Sequence, residues 1–362
     1  MKKYYTRACN FFYGSNSKKL IKKKITLPLC GDPLISFNKI EILIKEKKNV
    51  KSKIIDIKSI KKLPQLIRKK ILIDIKKITK KRTLLKNKSH LLMGILNMTP
   101  DSFSDGGKYN SFKKALQRVK KMQRAGADII DVGGESTRPG SKIINPNKEL
   151  LRVKKILKNF KKNFSNTLLS IDTRKSLVIN YSIKNKVDII NDVSCFKFDP
   201  KSFKLVRNKN LWKVIHHMQG TPQTMQNNPK YNHVLLDIYD FFEKEIEKFK
   251  GDKYQKKLIL DPGIGFGKNL KHNLMILNKV SIFHSLGFPV LIGTSRKKFI
   301  NQISGNYDTS ERAGGTLSSV IFSFLQGIKI FRVHNIEEVK QGILVFETLL
   351  NQWKKNILEQ MV

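Results

Sequence analysis

Residues 127–134, ADIIDVGG, form a short apolar run that is followed by polar residues and then by a helical pattern. Seven further runs have the same order, at residues 91–97, 167–173, 188–194, 212–218, 257–263, 289–295 and 329–334. Short apolar runs that alternate with helices are typical of a parallel sheet, and their number favours a closed (β/α)8 barrel, the TIM barrel of the α/β class. An open doubly wound sheet is the alternative, but no G-x-G-x-x-G motif follows the first run.

The N-terminal quarter of the chain differs from the rest in composition. Residues 1–90 carry 27 Lys/Arg against 5 Asp/Glu, a net charge of +22 within a total of +44. Short amphipathic segments there are interrupted by Pro and Gly and contain no catalytic constellation. We therefore predict a short basic N-terminal accessory region at 1–89, packed on the main domain or partly mobile and without an assigned role. A catalytic barrel domain would then occupy 90–362.

The high positive charge suggests a nucleic-acid or other polyanionic partner. However, 60 of the 72 basic residues are lysine and only 12 are arginine, the residue that reads bases through paired hydrogen bonds. We interpret the charge as a lysine-rich bias of solvent-facing positions, with nucleic-acid binding expected only as incidental polyanion affinity. A lysine-rich nucleic-acid-binding barrel protein is the alternative from another functional class.

The cysteines and the apolar runs bear on the compartment. Cys9, Cys30 and Cys195 form no C-x-x-C pair and are odd in number, which favours a reducing, cytoplasmic location. No apolar run reaches the length of about 18 residues that a membrane span requires, so no membrane association is expected. The N-terminus has no clean apolar segment followed by a cleavage site, and we expect no signal peptide.

Polar side chains end most of the apolar runs, where a barrel of this kind has its active site. They are Asn97, Asp172, Asn191, Asp192, His216, His217, Asp261, Ser295, Arg296, Lys297, Arg332 and His334. Among them, Asp172, Asn191 and Asp261 could present acceptors and an amide to a flat, nitrogen-rich heterocycle. The ring N–H and amino groups of such a ligand are donors.

A second group of strand-end residues suits an anion. Asn97, Arg332 and His334 lie on the first and last runs, which become neighbours when the barrel closes. An amide oxygen, a guanidinium and an imidazole form a plausible cradle for a diphosphate with a divalent cation. A ring on one side of the mouth and a diphosphate on the other suggest a transfer reaction in which pyrophosphate leaves.

Several residues allow a plainer interpretation. Lys268 in GIGFGK is either a functional group or a solvated charge at a helix start, and the glycines of this loop serve loop geometry or form a ligand nest. One of His216 and His217 must face the barrel interior and the other must face outward, with packing favoured over ligand binding for both. No H-E-x-x-H or paired-Cys motif is present, which disfavours a zinc hydrolase.

Eight segments carry a family resemblance that covers residues 90 to about 350. In chain order they are GILNMTPDSFSDGG, GADIIDVGGESTRPGS, SIDTRK, DIINDVS, HMQGTPQTMQ, LILDPGIGFGK, GTSRKKFI and RVHN. This set resembles bacterial dihydropteroate synthases, the pterin-binding family that sulfonamides target. The resemblance implies a transferase of folate biosynthesis that condenses 6-hydroxymethyl-7,8-dihydropterin diphosphate with 4-aminobenzoate, releasing 7,8-dihydropteroate and pyrophosphate. It also implies Mg²⁺, these two small-molecule substrates and a homodimer whose interface lies on late barrel helices.

The resemblance implies roles for individual positions. The pterin set is Asp172, Asn191, Asp261, Phe266 and Lys297. The diphosphate set is Asn97, Thr137, Arg332 and His334, with Asn97 also the metal ligand. The aminobenzoate set is Phe103, Arg138, Pro139, Phe266 and Lys297. The catalytic set is Asp105, Asp172, Asp261, Lys297, Arg332 and His334.

The implied mechanism is dissociative, because a weakly basic aniline needs an electrophile that is already activated. The loop after the first strand, which contains Asp105, and the loop after the second would close over the substrates. A pterin-dependent methyltransferase is the main rival within the same fold. It should lack the pair Arg332 and His334 and the long first loop.

Overall fold

The computed structural model describes residues 2–82, 88–99, 108–305 and 308–352, and their strands form two separate sheets. The N-terminal sheet is antiparallel. Its strands are β1 (Lys3–Tyr13), β2 (Leu27–Leu29), β3 (Asp32–Glu46) and β4 (Asn49–Asp56). The helices of this region are α1 (Gly14–Lys22), a 3-10 helix (Ile57–Lys62) and α2 (Gln65–Thr79). Strand β3 is central, because it pairs with each of the other three strands.

Buried polar contacts attach the N-terminal sheet to the rest of the molecule. Glu41 on β3 is 2% exposed and accepts from Arg7 Nε of β1 at 2.6 Å and from Lys279 Nζ at 2.5 Å. Tyr5 on β1 packs edge to face on Tyr239, with ring centroids 5.1 Å apart. The sheet therefore shares buried ionic and aromatic contacts with the following part of the chain. The division into regions 1–89 and 90–362 stays a prediction.

The second sheet is parallel and lies in the C-terminal part of the described chain. Its strands are β5 (Leu91–Asn97), β6 (Ile129–Gly133), β7 (Leu168–Asp172), β8 (Ile189–Asp192), β9 (Trp212–His216), β10 (Leu258–Asp261), β11 (Leu291–Ile292) and β12 (Ile330–Val333). The helices are α3 (Lys108–Arg124), α4 (Pro146–Asn163), α5 (Ser176–Lys184), α6 (Pro200–Val206), α7 (Val234–Glu247), α8 (Leu270–Asn278), a 3-10 helix (Val280–Leu286), α9 (Lys298–Ser304), α10 (Ala313–Phe324) and α11 (Ile336–Gln352).

The parallel sheet closes on itself. Its strand order is β10-β9-β8-β7-β6-β5-β12-β11, with β5 paired to β12. Leu260 of β10 bridges Val290 in parallel, and its N–H donates to the carbonyl of Pro289 at 2.9 Å, directly before β11. These contacts join the two ends of the sheet. The predicted (β/α)8 barrel is confirmed, and the alternative of an open doubly wound sheet is wrong.

Local sequence sets where helices begin after the strands. Asn145 caps α4 by accepting, through its side chain, from the N–H two residues on, and Pro146 occupies the first turn. Asp199 caps α6 in the same way ahead of Pro200. A capping side chain satisfies an N–H that has no partner inside the helix, and proline is tolerated there because its missing N–H is not needed. The loops after β6 and β8 therefore have fixed ends.

Apolar side chains fill the barrel interior below the strand ends. The buried members of this layer are Leu91, Met93, Ile129, Ile189, Val214, Ile259, Leu291 and Ile330. Side chains alternate along each strand, so the next inward positions toward the carboxyl ends are the polar ones. The layer closes the interior from below and leaves the mouth as the place for a polar site. Among the described residues, no helix is both long enough and apolar enough to cross a membrane.

Candidate active site

Arg332 joins two carboxylates at the mouth of the barrel. Its Nε donates to Asp131 Oδ2 at 2.7 Å, and its Nη2 donates to Asp172 Oδ2 at 2.8 Å. Asp131 is fully buried, Asp172 is 6% exposed, and the Arg332 side chain keeps 19% exposure. The sequence assigned Arg332 and Asp172 to separate diphosphate and ring groups. In the structure the two groups share an ion pair.

Asp131 is missing from the predicted site, because only the last residue of each run was considered. It lies on β6 two residues before the strand ends. Its Oδ1 accepts from Ser170 Oγ at 2.6 Å, and its Oδ2 accepts from Asn191 Nδ2 at 3.0 Å as well as from Arg332. Alternation along β6 places Asp131 on the same face as Ile129 of the interior layer, and this signal was available in the sequence. We call Asp131, Asp172, Asn191 and Arg332 the mouth cluster.

Two acceptor atoms of the mouth cluster have no hydrogen-bond partner among the described residues. They are Asp172 Oδ1 and Asn191 Oδ1, on side chains that are buried and in register on neighbouring strands β7 and β8. The bond from Asn191 Nδ2 to Asp131 turns the amide so that Oδ1 is left over. An unsatisfied buried acceptor is costly, because the group has lost its water without a replacement. The pair is suited to a ligand that presents N–H donors.

Burial changes the protonation of this site. It raises the pKa of Asp172 to about 7, since the neighbouring Asp131 carboxylate offsets part of the attraction of Arg332. It also raises the pKa of Asp261 to about 6, although the N–H of Gly263 and the charge of Lys297 oppose the change. For Arg332, burial would lower the pKa, but the carboxylates of Asp131 and Asp172 hold it above its ordinary value. The mouth therefore favours donors and positive charge on a ligand.

An aromatic and cationic group lies beside the mouth cluster. The Phe266 ring meets the His216 ring edge to face, with centroids 4.7 Å apart, and Lys297 Nζ lies 4.1 Å from the Phe266 centroid. His216 Nε2 is 4.0 Å from Asp261 Oδ2. Burial and the charge of Arg332 lower the pKa of Lys297 to about 8. The structure thus brings together the predicted residues Asp261, Phe266 and Lys297, in an arrangement that suits a flat heterocycle.

His216, which ends β9, and His217, which follows it, point in different directions, as strand alternation predicts. His216 faces the interior beside Asp261, whereas His217 packs edge to face on Phe241 of α7, with ring centroids 4.9 Å apart. Burial lowers the pKa of both imidazoles well below the ordinary value, and the charge of Lys268 adds to the effect. Both rings are therefore neutral near pH 7.

Lys268 is buried at 3% exposure, so its interpretation as a solvated charge is wrong. Its Nζ donates to the carbonyl of Phe266 at 2.9 Å and lies 3.0 Å from His217 Nδ1. Burial lowers its pKa to about 7. Gly263 in the same loop has a φ of +67°, and a Cβ there would lie 2.0 Å from the carbonyl oxygen of His217. This glycine and Lys268 fix the loop that carries Phe266 against the loop after β9.

His334 and Ser295 form a hydrogen-bonded pair beside Arg332. The Ser295 hydroxyl accepts from the His334 backbone N–H at 3.2 Å and lies 3.0 Å from His334 Nδ1. The hydroxyl can donate to Nδ1 of a neutral ring, and in that tautomer Nε2 carries the ring proton. Burial lowers the pKa of His334 to about 3, and the Arg332 charge adds to the effect. The His334 ring is therefore neutral near pH 7.

Asn97 ends β5 and is half-buried at the mouth. It pairs in register with Gly133, and a Cβ on that glycine would lie 3.7 Å from Asn97 Oδ1 and 3.6 Å from Asp172 Cβ. The absent side chain keeps the amide and Asp172 open to one another. In the described part of the chain, no group of three or more His, Cys, Asp or Glu side chains is placed to hold a metal ion. Asn97 therefore offers one amide oxygen that could bind a cation, without a group of three acidic side chains around it among the described residues.

Other predicted residues lie at the rim or outside the described ranges. The loop after β6 holds Thr137, Arg138 and Pro139, of which the last two are exposed. Its Gly140 N–H donates to the carbonyl of Pro222 at 3.0 Å, so this loop reaches the loop after β9. Arg138 is close enough for its charge to lower the pKa of His334. Phe103 and Asp105, and with them most of the predicted lid, lie outside the described residues.

A second buried ionic cluster supports the loops of the mouth. Lys175 Nζ lies 2.7 Å from Glu135 Oε1 and 2.6 Å from Glu149 Oε2, and Arg174 Nε lies 3.0 Å from Glu135 Oε2. None of the four side chains is more than 6% exposed. We call them the loop cluster. They connect the loop after β6, helix α4 and the loop after β7, and sequence reasoning missed them.

The barrel and its mouth match known proteins. The sequence model of the pterin binding enzyme family matches residues 93–334. The dihydropteroate synthase of Escherichia coli (strain K12) is 41% identical over 261 residues, which is 72% of this chain and 92% of that protein. A crystal structure of Yersinia pestis dihydropteroate synthase with a sulfonamide drug is 38% identical, with a TM-score of 0.68 over 74% of this chain and 97% of that one.

A third match is a structure with a bound small molecule. The Burkholderia cenocepacia dihydropteroate synthase, solved in complex with 7,8-dihydropteroate, is 31% identical, with a TM-score of 0.65 over 73% of this chain and 93% of that one. The family match begins after the N-terminal sheet and ends at His334, so it contains every residue of the mouth cluster. The chain belongs to the pterin-binding enzymes and, among them, to the dihydropteroate synthase family.

Proposed function

We propose that the barrel mouth condenses 6-hydroxymethyl-7,8-dihydropterin diphosphate with 4-aminobenzoate, forming 7,8-dihydropteroate and pyrophosphate. The chain is thus a transferase of folate biosynthesis. The observation that carries the proposal is the pair of buried acceptors, Asp172 Oδ1 and Asn191 Oδ1, which have no partner among the described residues. A pterin ring supplies N–H donors and a flat face, which Phe266 and Lys297 are placed to cover.

The diphosphate would bind on the Arg332 side of the mouth. Arg332 has N–H groups left after its bonds to Asp131 and Asp172. His334 would offer Nε2–H in the tautomer in which Ser295 Oγ donates to Nδ1. Thr137 would contribute from the loop after β6. Asn97 gives one oxygen, which suits Mg²⁺ because this cation takes few protein ligands and completes its shell with phosphate and water. When bound, Mg²⁺ would neutralise charge on the departing pyrophosphate.

The proposed reaction breaks the bond between the pterin methylene carbon and the diphosphate oxygen, and the electron pair leaves with pyrophosphate. Arg332 and His334 stabilise the negative charge that develops there. Asp172 and Asp261 face the positive charge that develops on the pterin. The amine nitrogen of 4-aminobenzoate then forms a bond to the methylene carbon and loses a proton. Phe266, Lys297, Arg138 and Pro139 would hold this second substrate, with Phe103 and Asp105 contributing from the first loop.

We also propose a homodimer through α8, α9 and α10. These helices border an apolar groove of about 770 Å³. Leu274, Ile303 and Phe322 line it and are 41%, 59% and 47% exposed. An exposed apolar groove of this kind is typical of an interaction surface. Light scattering of the wild-type protein and of Phe322→Glu tests this: the first should be dimeric and the second monomeric.

The proposed compartment is the cytoplasm. Cys9, Cys30 and Cys195 are free thiols and are buried. Burial raises the pKa of all three thiols, which keeps them in the unreactive thiol form. The protein should therefore fold and retain activity in a reducing buffer.

The test of the proposed function is pyrophosphate release from the purified protein. Release should require the pterin diphosphate, 4-aminobenzoate and Mg²⁺ together, and chelation of the metal should stop it. No turnover by a folded sample would contradict the proposal. Methyl transfer from a methylated pterin is the reaction of the rival methyltransferase, and we expect none.

A further inference from the structure

We propose that Asp131 is a positioning residue that couples ring binding to diphosphate binding, an inference that rests on the proposed function. One oxygen, Asp131 Oδ2, accepts from both Asn191 Nδ2 at 3.0 Å and Arg332 Nε at 2.7 Å. Asn191 belongs to the ring side of the mouth and Arg332 to the diphosphate side. The second oxygen is held by Ser170 Oγ at 2.6 Å. The carboxylate is therefore fixed at both oxygens and shared by both halves of the site.

On the ring side, Asp131 decides which atom of Asn191 meets the ligand. An amide group can present either its oxygen or its NH₂ group to a ligand. The choice is fixed by a neighbour that can only donate or only accept a hydrogen bond. The carboxylate is an acceptor, so it takes Nδ2 and leaves Oδ1 toward the ligand. With an amide at position 131, the Asn191 group would lose this constraint. It could then present a donor against the N–H groups of the ring.

On the diphosphate side, Asp131 sets the plane of the Arg332 guanidinium. The guanidinium is flat and rigid, so two hydrogen bonds at different nitrogens fix its orientation. Nε is bound to Asp131 and Nη2 to Asp172. Nη1 makes no hydrogen bond within the described part of the chain, and its N–H groups are left for an anion. Without Asp131, only the bond to Asp172 would hold the plane.

Asp131 acts through these neighbours and does not touch substrate itself. It is fully buried, and both of its oxygens are occupied by protein donors. A pterin ring that strengthens the bond from Asn191 to Asp131 Oδ2 also restrains the carboxylate to which Arg332 is bound. Pyrophosphate bound to Arg332 restrains the same carboxylate for Asn191. Ring and pyrophosphate binding should consequently be coupled, and the coupling should depend on Asp131.

The test is calorimetric titration of the full-length protein with two separate probes. They are 6-hydroxymethylpterin, which has the ring without diphosphate, and inorganic pyrophosphate with Mg²⁺. Asp131→Asn should raise the dissociation constants of both probes by about tenfold or more, because each side loses a charged hydrogen-bond partner. Asn191→Ala should raise the dissociation constant of the pterin alone. In the wild type, a saturating concentration of the pterin should lower the dissociation constant of pyrophosphate severalfold. Asp131→Asn should abolish this effect.

Asp128→Asn is the matched control. Asp128 is 3% exposed and lies three positions before Asp131, directly before the first residue of β6. It accepts from Lys88 Nζ at 2.6 Å and from the Leu92 N–H at 3.0 Å. Asp128→Asn therefore removes one buried negative charge close in sequence to Asp131, as Asp131→Asn does. We expect it to lower the unfolding temperature and to leave both dissociation constants within about twofold.

The outcomes separate this inference from the proposed function. A wild type that binds neither probe would overturn the proposed function and this inference with it. A wild type that binds both, combined with an Asp131→Asn variant in which either affinity is unchanged or the coupling persists, would overturn this inference alone. If Asp131→Asn does not fold, Ser170→Ala replaces it in the test, because it removes the hydrogen bond to Asp131 Oδ1. This variant should raise the dissociation constants of both probes about threefold. No change in either would count against the inference.

Discussion

The loop cluster and the mouth cluster are both ionic and mostly buried, yet their charges are balanced differently. The loop cluster contains two carboxylates and two cations, each with at least one ion-pair partner. The mouth cluster contains two carboxylates and one cation, and two of its acceptor atoms have no partner among the described residues. Among the described residues the loop cluster has one acceptor without a hydrogen-bond partner, Glu149 Oε1, and a cation for each carboxylate. The mouth cluster has one such acceptor more and one cation fewer, and we expect a ligand to offset this difference.

The number of cationic partners explains how each carboxyl group responds to burial. Burial acts on Glu135 as well, but hydrogen bonds from Lys175 and Arg174 lower its pKa. Glu149 is deeply buried with Lys175 as its cation, and its pKa is raised. Asp172 has Arg332 as its cation and Asp131 as a nearby acid, and its pKa rises to about 7. The mouth therefore keeps a cost of burial that ligand donors and cationic charge can offset.

Replacing the shared cation of the mouth should have the largest effect. Arg332→Ala removes the partner of Asp131 and Asp172 and a donor to the pyrophosphate. We expect kcat/KM to fall about a hundred- to a thousandfold, as for loss of a group that stabilises developing charge. Pyrophosphate release measures it. Arg332→Lys should recover only part of the rate, and full activity of Arg332→Ala would contradict the role given to the mouth cluster.

Breaking the loop cluster should act on stability instead. Lys175→Met leaves Glu149 without its cation and Glu135 with only Arg174, so we expect a loss of about 3–5 kcal/mol in the free energy of unfolding. Urea unfolding measures this change. Turnover of the remaining folded molecules should fall by about tenfold or less. The control is Lys162→Met, at an exposed position on α4, with an effect within about 0.5 kcal/mol.

The ionisable groups of the mouth should confine activity to a narrow range of pH. Asp172 must lose its proton to accept from the ring, so kcat/KM should rise with pH through about 7. Lys297 must keep its proton, so kcat/KM should fall as pH passes about 8. Lys297→Arg should extend the alkaline side, because arginine keeps its charge. A flat profile from pH 6 to 9 in the wild type would show that neither group controls the rate.

The surface charge should matter least. Lys51→Glu with Lys53→Glu reverses two exposed charges on β4, and we expect slightly earlier salt elution from heparin with unchanged kcat/KM. Lys154→Glu with Lys158→Glu makes the same charge change on exposed positions of α4. Equal shifts for the two pairs would mark binding as incidental. A much larger shift for the β4 pair would place a polyanion site on the N-terminal sheet.

The sequence predicted the strands and the polar strand ends because both follow from short-range periodicity. Asp261, Phe266 and Lys297 meet as expected, since strands of a closed barrel bring their carboxyl ends together. Asp131 was missed because it lies inside a run, and only the residue that ends each run was considered. Lys268 could not be assigned, because its burial depends on the loop after β9 packing against it. The pairing order of the N-terminal sheet likewise depends on contacts distant in sequence.

The central claim is that the mouth cluster gives up stability for function, and Asp172→Asn tests it most directly. The folded-state pKa of Asp172 is about 7, above its ordinary value of 3.8. The stabilising proton is therefore fully bound at low pH, and its contribution is lost as pH rises toward 7. The variant has no such proton to lose, and Arg332 keeps its bond to Asp131.

The measurement is the free energy of unfolding of wild type and Asp172→Asn at pH 5 and pH 8. From pH 5 to pH 8 the variant should gain on the order of 2 kcal/mol relative to wild type, while its kcat/KM stays at least about a hundredfold lower. The claim would be contradicted by a difference in the free energy of unfolding that is the same at both pH values. It would also be contradicted if the variant were less stable relative to wild type at pH 8 than at pH 5.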